Sequence, residues 1–145
     1  MINELDFEYV EAAVAAAANT DVDSDIVDMA GYDGVIFKTL ITDSVDTGVA
    51  SLIVEGDDAN ATGGMLPLAG ASAVITSAAN DDLNGKYLVV DVYKPVFRYM
   101  RANVKSGTAN IAFGETVAIK YRARKQPVTH TDVAKSAYVA SPAQA

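Results

Sequence analysis

The chain has no cysteine and no tryptophan, and only one histidine and four prolines among its 145 residues. Each absence closes a class of chemistry. Without Cys there is no disulfide framework, thiol nucleophile or thiolate zinc site, and a Ser-His-Asp hydrolase would have to be built on the lone His130. His130 stands among Thr129, Thr131 and Asp132 near the C-terminus, where catalysis would need a nucleophile and an orienting acid brought to a tail; a histidine without a role is the simpler reading. No phosphate-cradling glycine motif, HExxH pair or recognisable acid dyad occurs, so an enzyme is not expected and no cofactor is implied. The start lacks a basic leader and no run approaches the ~20 apolar residues of a membrane span, so neither secretion nor a membrane partner is expected.

Half of the residues are hydrophobic and only 21% are charged, which suits one domain with a real core. The formal charge of −8 hides a division. Residues 1–64 hold fourteen Asp or Glu against one Lys (Lys38), −13, whereas residues 65–145 hold ten Lys or Arg against five acids, +5, and the two sum to −8. Such a split lets one part of the fold, or one subunit, complement another, and it predicts assembly that weakens as salt rises.

From Gly31 onward, short β-branched or aromatic runs alternate with Gly, Asn, Asp and Pro, the pattern of an antiparallel β domain. Candidate strands are 34–42, 48–55, 71–78, 86–93, 98–105 and 116–124. No gap between them is long enough for a crossover helix, which favours a β-sandwich or jelly roll. The run 34–42 is apolar on both faces apart from Lys38 and is expected to be central. In the last two runs Met100, Ala102 and Val104 are expected inside opposite Tyr99, Arg101, Asn103 and Lys105, and Val117, Ile119, Tyr121 and Ala123 inside opposite Ala118, Lys120, Arg122 and Arg124. One face would then be core and the other basic.

The domain spans 31–125 on this reading, between an N-terminal arm with an acidic loop (1–30) and a C-terminal tail (126–145). Residues 4–18 carry helix formers yet almost no amphipathic stripe, so helix and extended strand are both open. Asp21, Asp23 and Asp25 match the first ligands of a calcium-binding loop, but Ile26 replaces its glycine and Tyr32 its bidentate Glu. A solvated acidic loop is preferred, and no metal site is assigned. The cations and aromatics around residues 94–105 and 120–125 interleave as on a single-strand nucleic-acid platform, but the overall anionic charge argues against a nucleic-acid partner. Pairing of this basic face with acidic residues of the N-terminal half, or of a neighbouring subunit, is the plainer account.

The runs 28–37 (DMAGYDGVIF) and 90–102 (VDVYKPVFRYMRA), followed by 118–121 (AIKY) with Pro127 beyond, resemble a family of small structural proteins of tailed bacteriophages. The resemblance implies a non-enzymatic virion protein with a jelly-roll-like fold, a capsid decoration or cement subunit on the capsid exterior, assembled in the host cytoplasm. Its partners would be the major capsid protein and other copies of itself, as a homotrimer or other cyclic oligomer. Expected interface residues are Leu5, Phe7 and Tyr9 of the arm, Asp21, Asp23 and Asp25, and the basic Arg98, Arg101, Lys120 and Arg122. Two alternatives are a head-tail connector or tail subunit, distinguished by copy number, and a carbohydrate-binding β-sandwich, which requires an exposed aromatic groove.

Overall fold

A computed structural model of the chain describes residues 1–141 and 143–144; positions 142 and 145 of the expected tail lie outside the described residues. Strands of 2 to 11 residues dominate, and the only helical segments described are two three-residue 3-10 turns. Two antiparallel sheets make the all-β sandwich that the strand spacing implied. Sheet I has the order β1 (Asp6–Glu11), β10 (Ile111–Tyr121), β5 (Gly34–Ser44), β8 (Tyr87–Tyr93), with β2 (Val14–Ala17) also pairing with β10. Sheet II has the order β3 (Asp21–Asp23), β9 (Tyr99–Gly107), β6 (Val49–Asp57), β7 (Leu66–Thr76), with β4 (Val27–Asp28) also on β9. From β5 onward only β6 to β7 stays within one sheet; the other connections pass between sheets, as in a jelly roll.

The apolar run expected to be central is β5, between β10 and β8. Its Phe37 and Ile41 meet Phe113 and Ile111 of β10, Leu52 of β6 and Met100 and Val104 of β9 in one core, every one of them at most 1% exposed. Phe37 lies opposite Ala118, so a small side chain leaves room for a large one.

Residues 1–30 are more than an arm and a loop. They supply β1 and β2 to sheet I and β3 and β4 to sheet II. Of the two conformations open to residues 4–18, the extended one forms, because β1 fills the edge beside β10 and places Val10 in the core. The beginning of the expected tail folds back along the other side of β1: the Val128 and Asp132 N–H groups donate to the Asn3 and Phe7 carbonyls at 3.0 and 3.2 Å, and the Tyr9 N–H donates to the Asp132 carboxylate at 2.8 Å. The β1 edge is thereby covered rather than left as a bare row of donors and acceptors.

The expected facing of the last strand is reversed. Ala118 and Lys120 point inward, whereas Val117, Ile119 and Tyr121 are half-exposed on the outer surface; Ala123, beyond the strand, is buried as expected. An irregularity in β10 between Phe113 and Thr116, where it pairs with β5, changes the phase of alternation. In a strand a one-residue slip moves every later side chain to the opposite face.

Candidate functional site

The outer surfaces of the two sheets differ: sheet II pairs its charges around β3, β9 and β6 and exposes Leu66, Val74 and Ile75 along its β7 edge, whereas the outer face of sheet I is largely apolar. On sheet II, β9 sends Arg101, Asn103 and Lys105 outward beside the acidic β3 and the outward residues of β6. Arg101 meets Glu55 at 2.9 Å and Asp23 at 3.3 Å, with Arg101 and Glu55 both nearly buried. The Asn103 amide donates to Asp21 and Asp23 at 2.7 and 2.6 Å, and Lys105 approaches Asp21 at 3.8 Å. Arg98 makes a two-pronged contact with Asp28 at 2.9 and 3.0 Å. The hydrogen bond from Arg98 holds the Asp28 carboxyl below its usual pKa.

Four of the expected interface residues have side-chain partners within the chain, and a fifth, Asp25, has none among the described residues. Asp21, Asp23, Arg98 and Arg101 engage one another's strands or Asp28 and Glu55, and Asp25 is an exposed residue whose N–H donates to the Val10 carbonyl at 2.8 Å. Among the described residues no group of three or more His, Asp or Glu has an arrangement that could hold a metal ion.

Lys120 is the second departure from a solvated basic face. It turns inward, where its ammonium meets Glu8 at 2.8 Å, Asp6 at 3.6 Å and the Tyr32 ring at 4.6 Å. Burial pulls its pKa down, but the hydrogen bond it donates to Glu8 and the charges of Glu8 and Asp6 outweigh burial and hold it above the usual lysine value. The tail closes this cluster, with the Thr131 N–H and hydroxyl both donating to Asp6 at 2.7 Å. His130 lies half-buried in the same tail.

The outer face of sheet I has few charges to pair. Cross-strand register builds three rows: Tyr9, Val117, Lys38 and Val89; then Phe7, Ile119, Ile36 and Asp91; then Tyr121, Gly34 and Tyr93. Tyr9, Tyr87, Val89 and Tyr93 each expose between 50% and 57% of their surface. Leu5 is half-buried just ahead of β1. Lys38 and Arg122 lie over tyrosine rings instead of opposite carboxylates, at 4.9 Å from Tyr87 and 5.4 Å from Tyr93.

Tyr121 organises one end of this face. A side chain on Gly34 would run into its ring, so the glycine lets the ring cross β5 and donate its hydroxyl to Asp91 on β8 at 2.6 Å. Burial, then this hydrogen bond, raise the phenol's pKa well above the usual tyrosine range. Arg122 donates to the Tyr93 hydroxyl at 3.1 Å, and Ile36, Asp91, Tyr93, Tyr121 and Arg122 line a shallow depression.

Of the expected contact residues, only Phe7, Tyr9 and Arg122 lie on this face. The others there were not singled out, although the strand at 86–93 carried the signal. Leu88, Val90 and Val92 alternate with Tyr87, Val89, Asp91 and Tyr93, so both sides of β8 are largely apolar while one sheet can bury only one side.

No protein-family model and no curated protein matches the chain in sequence. Among solved structures it is similar to the Eiger TNF from S. frugiperda, at 10% identity and TM-score 0.35, over 89% of this chain and 99% of that one. It is also similar to the enzymatically active domain of tailspike protein 4 from bacteriophage CBA120, at 9% identity and TM-score 0.36, over 81% of this chain but only 19% of that one.

Proposed function

We propose that this protein is a non-enzymatic structural subunit of a phage virion, a decoration or cement protein that binds the exterior of the capsid and stabilises its lattice. The observation that carries a binding role is the outer face of sheet I, where tyrosines and aliphatic side chains stand exposed on an ordered surface. Monomeric soluble proteins seldom leave a contiguous apolar patch of more than roughly 300–600 Å² uncovered. Support for the virion comes from the sequence motifs at 28–37 and 90–102. Stabilisation of a shell needs no reaction: many modest contacts repeated over symmetry-related sites raise the cost of opening it through avidity. Mixing the purified chain with capsids that lack it should give co-sedimentation and greater heat resistance. Capsids that neither retain the protein nor gain stability would eliminate this role.

A carbohydrate-binding role has one observation in its favour. The depression lined by Tyr93 and Tyr121 with Asp91 and Arg122 combines aromatic faces with polar groups. Specific, saturable binding on a glycan array, lost in Tyr93→Ala, would transfer the assignment to that role.

A further inference from the structure

We infer that the outer face of sheet I is covered by the same face of other copies of this chain, so that the protein acts as a homo-oligomer assembled sheet on sheet. The inference deepens the structural role proposed above and rests on it for its biological setting. Three properties of the face select a second copy as its occupant.

The first is shape. Twisted antiparallel sheets pack face to face on one another, as sheets I and II do across the core, so a sheet face is matched in form by a copy of itself. The second is area. Four strands at ~4.8 Å spacing and roughly seven residues at ~3.4 Å rise give a footprint on the order of 450 Å². Projecting side chains raise the accessible area toward the ~800 Å² per partner of a standard interface.

The third is charge. The chain carries −8, which opposes self-association over most of its surface. The acids Asp21, Asp23 and Asp28 belong to strands of sheet II, and Asp6 and Glu8 turn toward Lys120. The rows of the sheet I face instead carry Lys38 and Asp91, with Arg122 at their end and the exposed Glu115 beyond them on β10, a near balance of the two signs. Two such faces meet without the repulsion that the rest of the chain imposes, and Asp91 of one copy is available to the Lys38 or Arg122 of the next. Tyrosine suits the contact because its ring gives apolar area while its hydroxyl still finds a partner.

Sedimentation equilibrium of the full chain at micromolar concentration is the test. The expected mass is a multiple of 15.2 kDa that falls on dilution. Val89→Glu places a charge among the exposed apolar side chains on the β8 side of the face and should weaken association about 100-fold or more. Val74→Glu, at an exposed position on β7 of sheet II, should leave it unchanged. Should Val89→Glu fail to fold, Val89→Cys and Val74→Cys give a second readout, because the chain has no other thiol. Alkylation at position 89 should be at least about tenfold slower than at position 74 in the assembled protein, and the two should converge on dilution.

A monomeric wild type, an oligomer indifferent to Val89→Glu, or equal alkylation at both positions would overturn the inference. Capsid co-sedimentation separates it from the broader role. A monomer that still binds capsids leaves the decoration role standing with a different occupant for this face, and an oligomer that ignores capsids removes the decoration role but not the self-association.

Discussion

The two outer faces of the sandwich are both built from antiparallel strands, yet they use their side chains in different ways. Sheet II spends its charges internally: Arg101 on Glu55 and Asp23, Asn103 on both β3 carboxylates, Arg98 on Asp28. Sheet I leaves Tyr9, Tyr87, Val89 and Tyr93 half in water with few charges among them. A satisfied charged ladder gains little from a partner, whereas an apolar face gains free energy from every ångström squared it removes from water, about 25 cal/mol each. The difference separates a face that stabilises the fold from one suited to association.

The largest effect should come from breaking the sheet II network where it is driest. Arg101→Met leaves Glu55 nearly buried and unpaired and should cost about 3–5 kcal/mol in denaturant unfolding, most of it returned when Glu55→Leu is added. A cost within the range of ordinary surface substitutions would mean that the network merely decorates the face, and the contrast between the faces would weaken.

Next comes alkaline pH. The pKa values of Lys120 and Tyr121 are both raised in the folded chain, so their contributions are complete below the unfolded values of 10.5 and 10.0 and are lost as pH climbs through the higher folded values. Thermal stability should therefore decline above about pH 10, and Tyr121→Phe should flatten part of that decline. A melting temperature level through that range would contradict the geometry assigned to both groups. On the acid side, Asp28 has a depressed pKa, so its contribution is present above the unfolded carboxyl value and disappears as pH falls through the folded one.

A smaller effect is expected at Arg98, whose ion pair with Asp28 is about half exposed. Arg98→Ala should lower the melting temperature only slightly, and the loss should shrink further in high salt. Smallest in energy but sharpest in sign is the salt dependence of self-association. A free charge split along the chain would make assembly weaken with salt. Because those opposite charges meet inside one chain, and the sheet I face is apolar, screening instead relieves repulsion between copies of charge −8, and association should hold or strengthen as salt rises. Dissociation by moderate salt would return the charged residues to the interface.

Much of the fold was legible in local pattern. The apolar run at 34–42 read as a central strand because both its faces are hydrophobic, and Met100, Ala102 and Val104 read as core because alternation there is unbroken. The facing of β10 was not read from alternation, since the irregularity between Phe113 and Thr116 shows itself in strand pairing, with Gly114 inside it as the one local hint. The candidate site suffered in the same way. Arg98, Arg101 and Lys120 look like solvent-facing charges in a linear string, and their partners Asp28, Glu55 and Asp6 lie far away along the chain.

By itself the sequence determined that this chain would be an all-β domain without thiol chemistry, with acids gathered ahead of bases, because periodicity, turn residues and composition are local properties. Tertiary structure alone decided which charges neutralise each other and which apolar residues stay exposed. Both depend on strand order and register: the pairing of β3 with β9 brings acids to bases, and the order β1, β10, β5, β8 gathers scattered tyrosines and aliphatics onto one open face.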